Sequence, residues 1–162
     1  MDDVIVIGVG NPERGDDAVG AEVVAHLEGY LPPGVRLATT SGSDPATVMG
    51  LWQGVSRAIL VDAMVSGAEA GTVQRFDATA EPLPHNVRLV STHAMGAGMA
   101  VEMARALGRL PERLTVYGIE GSSYGHGTEL TPRVAAAVRV AAGMILEEVA
   151  DATVGTANHE ET

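Results

Sequence analysis

The sequence contains no cysteine. This absence excludes disulfide bonds, metal sites built from thiolates and catalysis by a cysteine nucleophile. Basic residues are also scarce, with 10 lysines and arginines against 21 aspartates and glutamates and a formal net charge of −11. Such a charge repels phosphate groups, so we expect neither a nucleic acid nor an anionic membrane surface as a partner. Cations and basic peptides remain compatible with it.

Long apolar segments are missing from the N-terminal region. The stretch MDDVIVIGVGN is acidic, and its apolar run of about five residues is far shorter than the ~20 residues of a membrane span. It therefore fits neither a signal peptide nor a transmembrane helix, and we expect a cytoplasmic protein. The 162 residues, 46% of them hydrophobic, suffice for one globular domain.

Strand and helix patterns alternate along the chain. Short apolar runs rich in β-branched residues predict strands at residues 4–9, 35–40, 57–64 and 113–120, and an alternating pattern predicts a more exposed strand at residues 71–78. Helical spacing predicts helices at residues 17–28, 46–53 and 93–107, and a last helix that begins with Thr131 as its cap and Pro132 at its first position. This alternation predicts an α/β fold with three layers, in which a twisted, mostly parallel sheet of about five strands lies between helices.

Two details complete this fold prediction. Met95, Met99, Met103 and Leu107 follow a helical spacing and predict the apolar stripe of the third helix. Residues 1–150 form one expected domain, and the polar residues 151–162 are expected to be a disordered tail.

The glycine-rich stretch GVGNPERGDDAVG (residues 8–20) directly follows the first predicted strand. It departs from a dinucleotide-binding fingerprint, because Glu13 stands where the third glycine of G-x-G-x-x-G belongs. It also departs from a P-loop, because Asp16 and Asp17 replace the lysine and the hydroxyl residue. Asp16 is better explained as the N-cap of the following helix.

Asp17 has a different expected role, because it lies one residue further, close to the carboxyl edge of the sheet, where open α/β folds bind ligands. Asp62 ends the buried strand RAILVDAM at the same edge, and His93 stands at a predicted helix start, where the positive helix end favours a neutral imidazole. Two carboxylates and an imidazole form a ligand set for a divalent metal, and zinc, nickel and manganese all fit it.

Simpler interpretations remain open for these residues. Asp62 could cap a loop, and His93 could be an ordinary hydrogen-bonded surface histidine. Ser91 is close enough in sequence to His93 to form a catalytic dyad, although a covalent nucleophile is not otherwise indicated.

Four motifs together resemble the hydrogenase maturation protease family. The stretch GVGNPERGDDAVG is similar to the family's opening motif, VDA to its second motif and STHAMG to its histidine motif. VYGIEG followed by ELTPRV is similar to its closing strand, loop and proline-started helix. The resemblance spans residues 3–150, and the loop TTSGSDP lacks an Asp-Gly-Thr-like stretch that many members have after the second strand.

The resemblance implies an endopeptidase that removes a short C-terminal extension from the precursor of the large subunit of a [NiFe] hydrogenase after nickel insertion. It implies metal contacts and catalytic roles for Asp17, Asp62 and His93, with nickel brought by the substrate rather than bound permanently. A different metal-dependent amide hydrolase and a non-catalytic, nickel-sensing scaffold protein remain alternatives.

Overall fold

The computed structural model describes residues 3–41, 44–90, 97–124, 127 and 129–160, with only the backbone of residues 152–160. The strands in this part of the chain are β1 (Val4–Val9), β2 (Val35–Thr40), β3 (Arg57–Val65), β4 (Val73–Asp77), β5 (Arg88–Leu89) and β6 (Arg113–Glu120). A short 3-10 helix (Gly15–Ala18) precedes α1 (Val19–Leu27), and α2 (Pro45–Trp52), α3 (Ala97–Leu107) and α4 (Pro132–Glu160) follow.

The strands form one sheet in the order β2-β1-β3-β6-β4. The four strands β2, β1, β3 and β6 are parallel, whereas β4 pairs antiparallel with β6 and the two-residue β5 pairs antiparallel with the end of β3. This confirms the predicted mostly parallel sheet, with six strands instead of about five. The carboxyl ends of β1, β3 and β6 lie at the same edge, so the loops after them are brought together.

Helices cover both faces of the sheet, which confirms the predicted three layers. Alternate residues of β1 point to opposite faces, so that Val4 and Val6 pack in one cluster with α1 and α4. Ile5 and Ile7 pack in the other cluster with α2 and α3. Most of these side chains are fully buried, so the sheet forms the centre of the hydrophobic core.

The predicted apolar stripe of α3 does not face the core. Met99, Met103 and Leu107 are 44%, 42% and 57% exposed, and Met95 lies outside the described residues. The buried face is made by the smaller residues Ala97, Ala100, Val101 and Ala104. Small side chains allow a helix to lie close to its neighbours, and they follow a helical spacing as regular as that of the methionines.

The last helix begins at Pro132, as predicted, but it continues to Glu160. The structure therefore places residues 151–160 in a helix, whereas the sequence predicts a disordered tail there. A docked helix extends at little cost, because its nucleation has already occurred. None of the helices in the described ranges is long and apolar enough to cross a membrane.

Gly20 brings the start of α1 into direct contact with the sheet. A Cβ atom at this position would lie 2.5 Å from the carbonyl oxygen of Val61 and 2.6 Å from that of Val9. Only glycine permits this approach. It fixes the 3-10 helix immediately before α1 above the carboxyl ends of β1 and β3.

Candidate functional site

Asp17 lies in the 3-10 helix between β1 and α1 and is 1% exposed. Its Oδ2 atom accepts a hydrogen bond from the backbone N–H of Asn11 at 3.1 Å. Its buried Oδ1 atom has no hydrogen-bond partner within the described part of the chain. Burial raises the pKa of this carboxyl, and the Asn11 N–H and the charge of Arg14 offset the rise only in part.

Asp62 belongs to β3 and is fully buried. Neither of its carboxylate oxygens has a hydrogen-bond partner among the described residues. Burial raises the pKa of Asp62 well above its usual value, and the nearby charge of Asp17 raises it further; the adjacent Ala63 N–H, which does not reach hydrogen-bond geometry, offsets the rise only in part. The structure thus brings Asp17 and Asp62 together as a buried pair of acids.

Buried polar atoms in proteins nearly always have partners. Asp17 and Asp62 together present three buried carboxylate oxygens without one. A cation is the natural partner for such a set, because it would satisfy the oxygens and remove the repulsion between the two acids. Carboxylate oxygens of this kind suit divalent metal ions.

Gly10 explains part of the glycine-rich motif. Its φ of 138° lies in the region that favours glycine. A Cβ atom there would collide with the backbone carbonyl oxygen of Asp17 and lie 3.1 Å from its Oδ1. The Gly10 N–H also donates to the carbonyl oxygen of Thr40 at 2.9 Å. The motif therefore packs the loop closely around Asp17 instead of forming a cradle for phosphate.

The third predicted ligand, His93, lies outside the described residues, as does Ser91 of the possible dyad. Within the described ranges, no group of three His, Cys, Asp or Glu side chains is placed to hold a metal ion. The role of His93 therefore stays a prediction.

Asp16 does not cap its own helix, so that prediction is wrong. Neither the 3-10 helix nor α1 has a side-chain cap hydrogen bond. The fully buried Asp16 carboxylate instead accepts hydrogen bonds from Ser122, Ser123 and Thr131, which lie after β6 and before α4. Burial alone would raise the pKa of Asp16, but these hydrogen bonds hold it below its usual value.

Residues 121–125 (Gly-Ser-Ser-Tyr-Gly) have the G-x-S-x-G spacing of a nucleophile elbow, with Ser123 as the serine. An elbow places its serine in a tight turn between a strand and the helix that follows directly. Here α4 begins only at Pro132. The backbone N–H and carbonyl of Ser123 are both hydrogen-bonded to Asp16. Among the described residues, Ser123 therefore lacks the structural context of an elbow, and the spacing alone does not identify a nucleophile.

Tyr124 is not among the site residues predicted from the sequence, and it lies close to the acid pair. Its hydroxyl donates to the backbone carbonyl of Met64, two residues after Asp62, at 3.3 Å. Burial raises the pKa of Tyr124 to about 12, and the charges of Glu120, Asp16 and Asp62 contribute to the rise. Its position in the loop that follows β6, at the same sheet edge, is the signal that could have identified it.

The fold and this edge define an α/β protein with a buried acidic pair suited to a cation. Comparison with known proteins then identifies the family, because the family model for hydrogenase maturation proteases (HycI) matches residues 21–148. The chain belongs to the hydrogenase maturation protease family, which confirms the resemblance and makes it a peptidase.

Individual relatives agree with this assignment. The chain is 27% identical over 144 residues to the hydrogenase 2 maturation protease of Escherichia coli K12, covering 88% of each chain. It is 30% identical over 152 residues to a putative hydrogenase maturation protease of Methanocaldococcus jannaschii, covering 91% of this chain and 96% of the relative. The structure of the hydrogenase maturating endopeptidase HybD from E. coli superposes with a TM-score of 0.74 at 25% identity, over 93% of each chain.

Proposed function

We propose that this protein removes the C-terminal extension of the large-subunit precursor of a [NiFe] hydrogenase after nickel insertion. In this proposal, Asp17, Asp62 and His93 contact the nickel that the substrate contains. The observation that supports it is the group of three buried carboxylate oxygens of Asp17 and Asp62 that have no partner in the described chain. The similarity to proteases of hydrogenase maturation supplies the substrate class.

The acid pair fits a cation that arrives with the substrate. Without a cation, the two buried carboxyls repel each other, and the raised pKa of Asp62 favours its protonated form. A precursor that contains nickel offers the missing cation, whereas a precursor without nickel lacks it. The pair therefore discriminates between the two precursors through one strong contact that only the mature metal site can make.

This contact also positions the peptide bond that is cut. A cation held at this edge can activate a scissile carbonyl or a water molecule as a Lewis acid. The protein's own contribution is to hold Asp17 rigidly, through the Asn11 N–H and the close packing of Gly10. Such fixed geometry places the adjacent segment of the substrate for attack.

The decisive test compares nickel-loaded and nickel-free precursor by intact mass after incubation with the purified protein. We expect a shortened C-terminus only for the loaded precursor. Asp62→Asn and His93→Ala should each abolish the cleavage, because an amide or a methyl group is a poor replacement for these ligands. Asp77→Asn is the matched control, since Asp77 is exposed and only accepts hydrogen bonds from its own turn.

Each other outcome contradicts the proposal in a specific way. Equal cleavage of both precursors would indicate a different amide hydrolase, and binding without cleavage would indicate a scaffold protein. Metal that remains at stoichiometric levels after dialysis, measured by elemental analysis, would show that the ion is resident and does not come from the substrate.

A further inference from the structure

We infer that Asp16 is a positioning residue of this peptidase: its carboxylate fixes the loop after β6 against the 3-10 helix that contains Asp17. The inference rests on the proposed role of Asp17. It assigns to Asp16 a task that differs from that of the neighbouring acid, because Asp16 would contact neither the substrate nor its metal.

The hydrogen bonds of Asp16 join three separate parts of the chain. Its Oδ2 atom accepts from the backbone N–H groups of Ser122 at 2.8 Å and Ser123 at 2.9 Å. Its Oδ1 atom accepts from the backbone N–H of Thr131 at 2.8 Å, and the Thr131 hydroxyl lies 3.0 Å from Oδ1 and 2.9 Å from Oδ2. We call Asp16, Ser122, Ser123 and Thr131 the Asp16 cluster.

Backbone hydrogen bonds reinforce the Asp16 cluster on both sides. The Asp16 N–H donates to the carbonyl oxygen of Ser123 at 2.8 Å. The Gly15 N–H donates to the carbonyl oxygen of Gly127 at 2.9 Å, and the Gly127 N–H donates to that of Glu13 at 3.0 Å. The segment before Asp17 is thus attached along its length to the loop between β6 and α4.

Asp17 depends on this attachment for its orientation. Its carboxylate has one hydrogen bond, from Asn11, and one oxygen without a partner in the described chain. Its direction is therefore set mainly by the backbone of the 3-10 helix, which Asp16 holds. The same loop places Tyr124 against the carbonyl of Met64 beside the acid pair. A displacement of about 1 Å in such a site can reduce a rate about 100-fold.

Asp16 cannot easily serve as a cation ligand itself. Both of its oxygens already accept hydrogen bonds from N–H or O–H donors. A cation could reach Asp16 only by displacing several of these donors. Of the two consecutive acids, the first is thus saturated with donors and the second is left open.

The test compares two Thr→Val variants in the processing assay with nickel-loaded precursor. Thr131→Val removes a hydroxyl that forms hydrogen bonds with Asp16. Thr79→Val is the control: it removes a hydroxyl that accepts a hydrogen bond from the Leu114 N–H at 2.8 Å, near the start of β6 and away from the site. Rates are measured under single-turnover conditions well below each melting temperature. We expect Thr131→Val to slow the maximal rate about 3- to 10-fold, Asp16→Asn to slow it about 10- to 100-fold, and Thr79→Val to leave it unchanged.

A positioning role also predicts which kinetic parameter changes. The maximal rate should fall while the precursor concentration at half-maximal rate changes less than about threefold, because substrate contacts remain. Thr131→Ser, which keeps the hydroxyl, should have the wild-type rate. If Asp16→Asn does not fold, the comparison of Thr131→Val with Thr131→Ser tests the positioning role of Asp16. Wild-type rates for folded Asp16→Asn and Thr131→Val would overturn the inference. Activity in Asp17→Asn would instead overturn the proposed function.

Discussion

Asp62 should destabilise the fold when no cation is bound, so the Asp62→Asn variant should melt at a higher temperature than the wild type. The carboxylate is fully buried, and neither oxygen has a hydrogen-bond partner among the described residues. Asparagine has nearly the same shape but removes the charge and its repulsion with Asp17. A buried polar group without a partner costs about 1–3 kcal/mol.

The expected gain is smaller than that full cost, because the asparagine amide is itself polar and also lacks an obvious partner. We estimate about 1–2 kcal/mol, which corresponds to about 3–6 °C for a chain of this size. The measurement is a thermal melt by circular dichroism in the presence of a chelator. Adding Ni²⁺ should raise the melting temperature of the wild type and not that of Asp62→Asn, because only a ligand bound to the folded state stabilises it.

The pH dependence follows from the raised pKa of Asp62. At a pH below the usual carboxyl value of 3.8, Asp62 is protonated in both the folded and the unfolded state. As the pH rises towards and through the folded pKa, the unfolded state loses its proton more readily, and the wild type loses stability. The advantage of Asp62→Asn should therefore be small at about pH 4 and grow as the pH increases to about 8.

Asp77 provides a control with the opposite sign. Slight burial raises its pKa, but hydrogen bonds from Ala80 and Thr79 outweigh this effect and lower it. Asp77→Asn should therefore be destabilising at neutral pH, with an effect that disappears as the pH falls through the folded pKa. If Asp62→Asn instead melts below the wild type at pH 8 without a cation, Asp62 has a stabilising partner and the reasoning about open oxygens is refuted.

Two further predictions concern packing and are checked by thermal melts. Gly20→Ala should lower the free energy of unfolding by about 1–3 kcal/mol, because the added methyl group would collide with strand backbone. Gly143→Ala in α4 should raise it by about 0.5–1 kcal/mol, because a Cβ atom there meets open space. Met103→Gln should change the melting temperature by less than about 1 °C because Met103 is exposed and lies outside the core. Val101→Ala should lower the melting temperature by several degrees because Val101 is fully buried.

The central strands could be predicted from the sequence because each is buried on both faces. Such strands appear as continuous apolar runs, and the runs at residues 4–9, 57–64 and 113–120 coincide with β1, β3 and β6, with β3 one residue longer than predicted. The two-residue β5 could not be predicted in this way. It exists because the chain passes beside Met64 and Val65 at the end of β3, and no local pattern records that pairing.

The face of α3 was predicted incorrectly for a related reason. The helix contains one spacing of large apolar residues and another of small ones, and periodicity alone does not choose between them. The structure buries the small residues, because the helix packs closely against α2 and the sheet. The space between α3 and its neighbours determines which face of the helix is buried, and that space is set by elements elsewhere in the chain.

The acid pair, in contrast, could be predicted from topology. Asp17 follows β1 and Asp62 belongs to β3, and these strands are parallel neighbours in the sheet. Their carboxyl ends must then share an edge, whatever the details of the loops. His93 was chosen by the same argument and stays a prediction.

The hydrogen-bond partners of Asp16, in contrast, could not be predicted from the local sequence. An aspartate just before a helix predicts a local cap, yet the donors that Asp16 binds lie 106, 107 and 115 residues away in sequence. Successive residues of a 3-10 helix point about 120° apart, so the two acids cannot face the same neighbours. Asp16 is turned towards the loop before α4 and is saturated there, while Asp17 is turned towards Asp62 and keeps an open oxygen. The different chemistry of two identical, consecutive residues is thus produced by the turn that separates them and by distant chain segments on either side.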